Sequence, residues 1–176
     1  MFRFALIFAA LIAFQAASSA AELPLPREVI EGGLKEPDCT LSFEEATADL
    51  EPPQELGGGL VLVEIQCWRA AYNFGSIFFV ADPKAPERAR LLRFRAWSGK
   101  AFEMRTNLSG PSFDAEKKRL TSFHKSRGIG DCGSAGAWAW SGTEFQLQDY
   151  WLKPNCDGKN FDPEEEPRKW RVFPKK

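Results

Sequence analysis

An antiparallel, mainly β domain held by two disulfides is the fold class this sequence predicts, and three observations predict it. Short apolar runs with a two-residue period recur from Leu60 onward. Turn residues punctuate those runs, and no stretch after Leu60 holds a convincing helical period. Four cysteines, Cys39, Cys67, Cys132 and Cys156, follow a segment with the layout of an export signal.

That segment comes first. Met1-Phe2-Arg3 is a short positive start, residues 4–17 are almost unbroken apolar sequence, and Ala17-Ser18-Ser19-Ala20-Ala21 offers small residues to a peptidase. Residues 1–20 are therefore expected to be a signal peptide cleaved near Ala20 or Ala21, and the apolar run is short for a membrane span. No cysteine stands at the cleavage site, which argues against a lipid anchor. Residues 21–59 form an acidic extended or short-helix arm. Within it, residues 22–38 carry Pro24, Pro26 and Pro37 and are expected to be extended and poorly packed. Ser42-Phe43-Glu44-Glu45 fits a capping box that opens a helix through about Leu50. Pro52-Pro53 stops it, and Gly57-Gly58-Gly59 makes a loose link.

The β domain is expected over residues 60–176, as a meander of hairpins. Residues 60–67 and 76–80 read as paired strands joined at the Tyr72-Asn73-Phe74-Gly75 bend, followed by a turn-rich loop at 82–86. Leu92, Phe94 and Ala96 alternate with Arg93, Arg95 and Trp97, and Phe102, Met104 and Thr106 continue the pattern. If Trp97 faces Ala101, the apolar residues share one face, Arg95 opposes Glu103 and Arg93 opposes Arg105. That last pair needs a covering acid or a bound anion, and the acidic segment 44–55 is the expected cover. Ser98-Gly99 favours a two-residue loop instead, and that slip would flip one strand; the apolar pattern is expected to prevail. Residues 113–115, 120–124, 135–140 and 144–151 extend the series, with a last edge strand at 168–173. In the hairpin turning at Ser141-Gly142, Trp138 is expected to face Phe145, with Trp140 on the same side and the row buried.

Three pairings of four cysteines exist. Cys39–Cys67 and Cys132–Cys156 each close a short loop and staple separate halves, so they are the expected pairs, each worth on the order of 3 kcal/mol. With one histidine and no C-x-x-C, neither a zinc site nor a thioredoxin-type redox site is expected, and no cofactor is implied. Charge separates along the chain: residues 21–59 hold two basic and ten acidic groups, residues 60–130 thirteen basic and six acidic. The near-neutral total argues against nucleic-acid binding. The simplest reading lays the acidic arm across the basic middle; the functional alternative leaves a basic face for an anionic partner.

Chemistry concentrates in Lys125-Ser126-Arg127-Gly128-Ile129-Gly130-Asp131-Cys132-Gly133. Three glycines in six residues, Gly128 to Gly133, allow an anion-binding nest, although a tight connection between two strands pinned by Cys132 is the favoured reading. No Gly-Lys-Ser/Thr follows, so this is no P-loop. His124 is the one histidine; Ser122 and Ser126 lie near it, and the basic run after it should depress its imidazolium. For glycoside chemistry the carboxylates to test are Asp131, Glu144 and Asp149.

Together with Trp138, Trp140-Ser141-Gly142, Phe145 and Cys156, the glycine motif and Cys67-Trp68-Arg69-Ala70-Ala71-Tyr72-Asn73 resemble a family of exported proteobacterial proteins of unknown function. In that family C-x-x-(G/A)-A-Y-N and K-G-R-G-x-G-D-C-G are recurring landmarks; here Ser126 and Ala70 replace glycines. The resemblance implies a periplasmic location and carries over no catalytic residue. The rhythm of Phe113-Asp114, Leu120-Thr121-Ser122-Phe123, Trp138 and Phe145-Gln146-Leu147 is also similar to some periplasmic lysozyme inhibitors, and suggests a partner class only.

The expectation is a monomeric periplasmic binding or accessory protein of the cell envelope, with no enzymatic activity and no membrane span after cleavage. Its partner would be an envelope protein, such as an envelope hydrolase, or an anionic ligand, met by Arg93, Arg105, Lys125, Arg127 and Asp131. The alternatives are a glycan-acting hydrolase using Asp131 or Glu144, and a structural envelope protein without a ligand.

Overall fold

The computed structural model describes residues 23–163, 165 and 168–174; the expected signal peptide lies outside them. Two short helices, α1 (Arg27–Gly33) and α2 (Phe43–Thr47), precede twelve strands. The first sheet runs β1 (Gln54–Gly57), β2 (Leu60–Arg69), β3 (Phe74–Ala81) and β4 (Arg90–Leu91), with β7 (Asn107–Ser109) pairing the start of β3. The second runs β12 (Arg171–Phe173), β11 (Phe145–Lys153), β10 (Gly133–Trp140), β9 (Arg119–Lys125) and β8 (Pro111–Asp114). A separate hairpin pairs β5 (Phe94–Trp97) with β6 (Phe102–Arg105). All of these pairings are antiparallel. Both expected disulfides, Cys39–Cys67 and Cys132–Cys156, are formed.

Strand periodicity builds the interior. Leu62, Phe78 and Val80 on one face of the first sheet meet Leu120, Trp138, Phe145 and Tyr150 of the second, with Leu92, Phe94 and Ala96 between them. Trp138 is fully buried there, and its ring packs edge-on against Phe94. The opposite face of the first sheet, Val61, Val63, Ile65, Ile77 and Phe79, is covered by Leu25 and Ile30 of the arm and Ala46 of α2. On the outer face of the second sheet, Phe161 and Trp170 cover Ala135, Ala137 and Trp151. Four layers result: arm, sheet, sheet, C-terminal strap.

The arm is the first departure from expectation. Residues 27–33 are helical, because Pro26 sits at the N-cap where its missing N–H costs nothing, and Ile30 is completely buried. The apolar side chains Leu25, Val29 and Ile30 outweigh the prolines. The capping box at Ser42 and Glu45 forms as read, but α2 ends at Thr47, before Leu50. Gly57-Gly58-Gly59 is a tight hairpin rather than a loose link, pairing Gly57 with Leu60.

Two registers also differ. Trp97 pairs with Phe102, Ala96 with Glu103 and Phe94 with Arg105, one residue out of the register that would set Arg93 against Arg105. Turn chemistry decided it: Ser98 and Ala101 close a two-residue loop through three hydrogen bonds, with Gly99 at φ +98°. Met104 pays for the slip with 56 % exposure. In the β10–β11 hairpin, Ser141 and Glu144 close the turn, so Trp140 rather than Trp138 faces Phe145. Among the described residues, no helix is long and apolar enough to cross a membrane.

Candidate binding cleft

The two sequence motifs meet in space. Asn73, in the β2–β3 bend, donates its amide to the Lys125 carbonyl at 2.8 Å and accepts the Lys125 N–H at 3.1 Å. Tyr72 donates its hydroxyl to the Ser126 carbonyl at 3.1 Å. One sheet's loop thus grips the other sheet's loop by main-chain atoms, as an added strand residue would.

Beyond this clamp the glycine loop is internally satisfied. Arg127 forms a bidentate pair with Asp131, its Nε 2.7 Å from Oδ1, and also donates to the Cys156 carbonyl. Asp131 is buried and accepts a further bond from the Gly158 N–H at 2.6 Å. The guanidinium hydrogen bond holds the Asp131 carboxyl far below the usual carboxylate range, so it stays ionised and is no general acid. Asp131, Cys132 and Cys156 cluster closely, but both sulfurs are spent in the disulfide and offer no metal ligand. Gly133 turns at φ +145°, where a Cβ would lie 1.9 Å from the His124 carbonyl oxygen.

Next to the clamp the two sheets part. The inner face of β9 passes from Leu120 to Ser122 and His124, and that of β10 from Trp138 to Gly136 and Ser134, with Ser134 paired to His124. Apolar core gives way to hydroxyls and a small residue, and a cleft of about 610 Å³ opens there. Trp68, Trp97 and Tyr150 provide aromatic wall; Ser109, Ser122, Ser126, Ser134, Asn107 and His124 provide polar lining. Trp68 is fixed by a bond from its indole N–H to Asn107 at 3.2 Å. Ser109 Oγ lies 3.1 Å from His124 Nδ1, and partial burial of the ring, rather than the basic run, lowers the His124 pKa.

Arg105 enters the cleft from β6. Its Nη1 is 3.9 Å from Asp38, which the arm holds at the rim beside Cys39, while its Nε is enclosed and donates to no acceptor among the described residues. The acid that reaches Arg105 is therefore Asp38 and not the segment 44–55; Glu44 pairs instead with Arg27 at 2.9 Å.

The five candidate contacts consequently part company. Arg105 lines the cleft, Arg93 is exposed in the short link between β4 and β5, and Lys125 borders a second hollow of about 460 Å³ against Phe161. Arg127 and Asp131 satisfy each other. Of the three carboxylates proposed for glycoside chemistry, none lines the cleft: Asp149 pairs with Arg171 at 3.0 Å, and Glu144 is exposed at the β10–β11 turn. Asp38, Ser109 and Ser134 were not foreseen. The switch from large apolar to small polar residues along one strand face was the available signal for Ser134 and Ser122.

Residues 13–173 match the family model described as Protein of unknown function (DUF1176). The Uncharacterized protein YpfG of Escherichia coli (strain K12) is 31 % identical over 97 residues, covering 54 % of this chain. The match spans 28 % of that relative's length. No solved structure matches the chain.

Proposed function

The chain belongs to this family of unknown function, and from that premise we propose that it is an exported binding protein of the cell envelope that holds a small ligand between its sheets. The observation that carries the reading is the inter-sheet cleft, where the apolar core is replaced by hydroxyls, an imidazole and a guanidinium between aromatic walls. Two disulfides suit an oxidising compartment, and the periplasm is the compartment proposed. Binding rather than turnover is favoured because Asp131 and Asp149 are committed to arginines, and His124 meets Ser109 while no carboxylate among the described residues bonds its ring.

A second reading, a protein partner such as an envelope hydrolase, is favoured by one observation. Tyr72, Phe74 and Ile129, exposed by 45, 39 and 73 %, all belong to the two clamped loops or the strand start beside them. The test of the first reading is a titration of the isotope-labelled, oxidised protein with the small-molecule fraction of a periplasmic extract. Resonances of His124, Ser134 and the Trp97 indole should move together; the cleft reading is lost if they stay fixed. An Ile129→Glu variant that loses a captured envelope protein without altering those shifts would assign the partner to the loops.

A further inference from the structure

We infer that the cleft recognises a carboxylate-bearing saccharide, with Arg105 as the anion anchor and Asp38 as the group the ligand displaces. This rests on the cleft-binding reading above. Three observations carry it. The enclosed Arg105 Nε–H finds no acceptor among the described residues, so the protein satisfies this guanidinium poorly, while 37 % of the side chain stays exposed to meet an incoming oxygen. Its present acidic neighbour, Asp38, is at 3.9 Å, the outer limit of an ion pair, and that carboxylate is 69 % exposed, so its hold on the guanidinium is weak. A guanidinium presents parallel N–H groups that match a carboxylate in its plane.

The rest of the lining selects what bears the carboxylate. Ser122 and Ser134 each donate and accept, as the hydroxyls of a sugar do, and His124, whose Nδ1 meets Ser109, has its second ring nitrogen for a ligand oxygen. Trp68 and Trp97, both half-buried in the cleft wall, give flat apolar surface for a pyranose ring. A purely apolar acid would leave these hydroxyls unpaired, and a bare inorganic anion would leave the aromatic walls unused.

Calorimetry with the oxidised protein and three probes tests the inference: the N-acetylglucosamine–N-acetylmuramic acid disaccharide, neutral di-N-acetylglucosamine, and inorganic phosphate. The acidic disaccharide should bind, with the neutral one at least about tenfold weaker, the loss for removing a charge-assisted hydrogen bond. Phosphate should compete only feebly. Arg105→Gln should lose about as much, Arg105→Lys should retain part of the affinity, and Asp38→Asn should tighten binding by freeing the anchor. Opposite effects from two variants at one contact separate recognition from misfolding. Equal binding of the neutral sugar, or phosphate as effective as the sugar acid, overturns the inference. If neither sugar moves the cleft resonances while the periplasmic fraction does, the saccharide class is wrong and the binding reading stands. If neither moves them, both fall.

Discussion

Asn73 joins the two halves of the molecule with one side chain, and because it bonds only to main-chain atoms of Lys125, the side chains it grips are free to vary. Ser126 likewise contributes only its carbonyl to Tyr72, so a glycine in its place would leave the clamp intact. Removing the clamp is another matter. Asn73→Ala should cost about 1–3 kcal/mol in denaturant unfolding, since a buried-edge carbonyl and N–H lose their partners together. Glu64 behaves in the opposite sense. Burial raises its pKa, and the Ser76 hydroxyl bonds it at 2.7 Å. An acid whose folded pKa is raised contributes most below its unfolded value near pH 4, and that contribution is lost as pH rises through the folded pKa. Glu64→Gln keeps an acceptor for Ser76 and removes the buried charge. The variant should therefore unfold at a higher midpoint than the parent at pH 7, with the gap closing toward about pH 4. An equal gap at both pH values would show that charge burial is not the cause.

At the scale of elements, turns outrank apolar patterning wherever the strands are short. β5 and β6 are four residues each, too few for their apolar faces to dictate register against the Ser98–Ala101 closure. β2 and β3, ten and eight residues long and buried on both faces, followed the sequence pattern closely. The strand series, the capping box and the disulfides were legible because each depends on neighbours in the chain. Helix α1 was hidden by its prolines, since the apolar residues that stabilise it do so only against β2 and β3. The cleft was hidden for a related reason: Asp38, Arg105, Ser109 and His124 come from four segments that only the tertiary fold assembles. Arg127 and Asp131 looked like free chemistry because their mutual bond is invisible at the level of motif. Gly133 offers the sharpest test of this loop. Gly133→Ala forces a Cβ onto the His124 carbonyl in a conformation other residues rarely adopt, and should cost on the order of 3 kcal/mol. Unchanged stability by chemical denaturation would mean that the β9–β10 connection can relax around a methyl group.

For the whole molecule, two sheets share one core and each carries a cover on its outer face. The arm is bound to its sheet both by Leu25 and Ile30 and by the Cys39–Cys67 bond. A Cys39→Ala/Cys67→Ala variant should lose about 3 kcal/mol. Hydrogen exchange should place that loss first in α1, while the β9–β11 amides keep their protection. Uniform acceleration across both sheets would instead make the arm an integral part of the core. The two covers differ in one further respect. Chains leave the ribosome and the export channel in sequence order. Helix α1 is thus present before the sheet it shields, and β2 and β3 can form directly against it. The second sheet has the reverse history: Ala135, Ala137 and Trp151 emerge before Phe161 and Trp170, and must wait bare for their cover. During synthesis, that face is where a chaperone would find its longest-lived foothold.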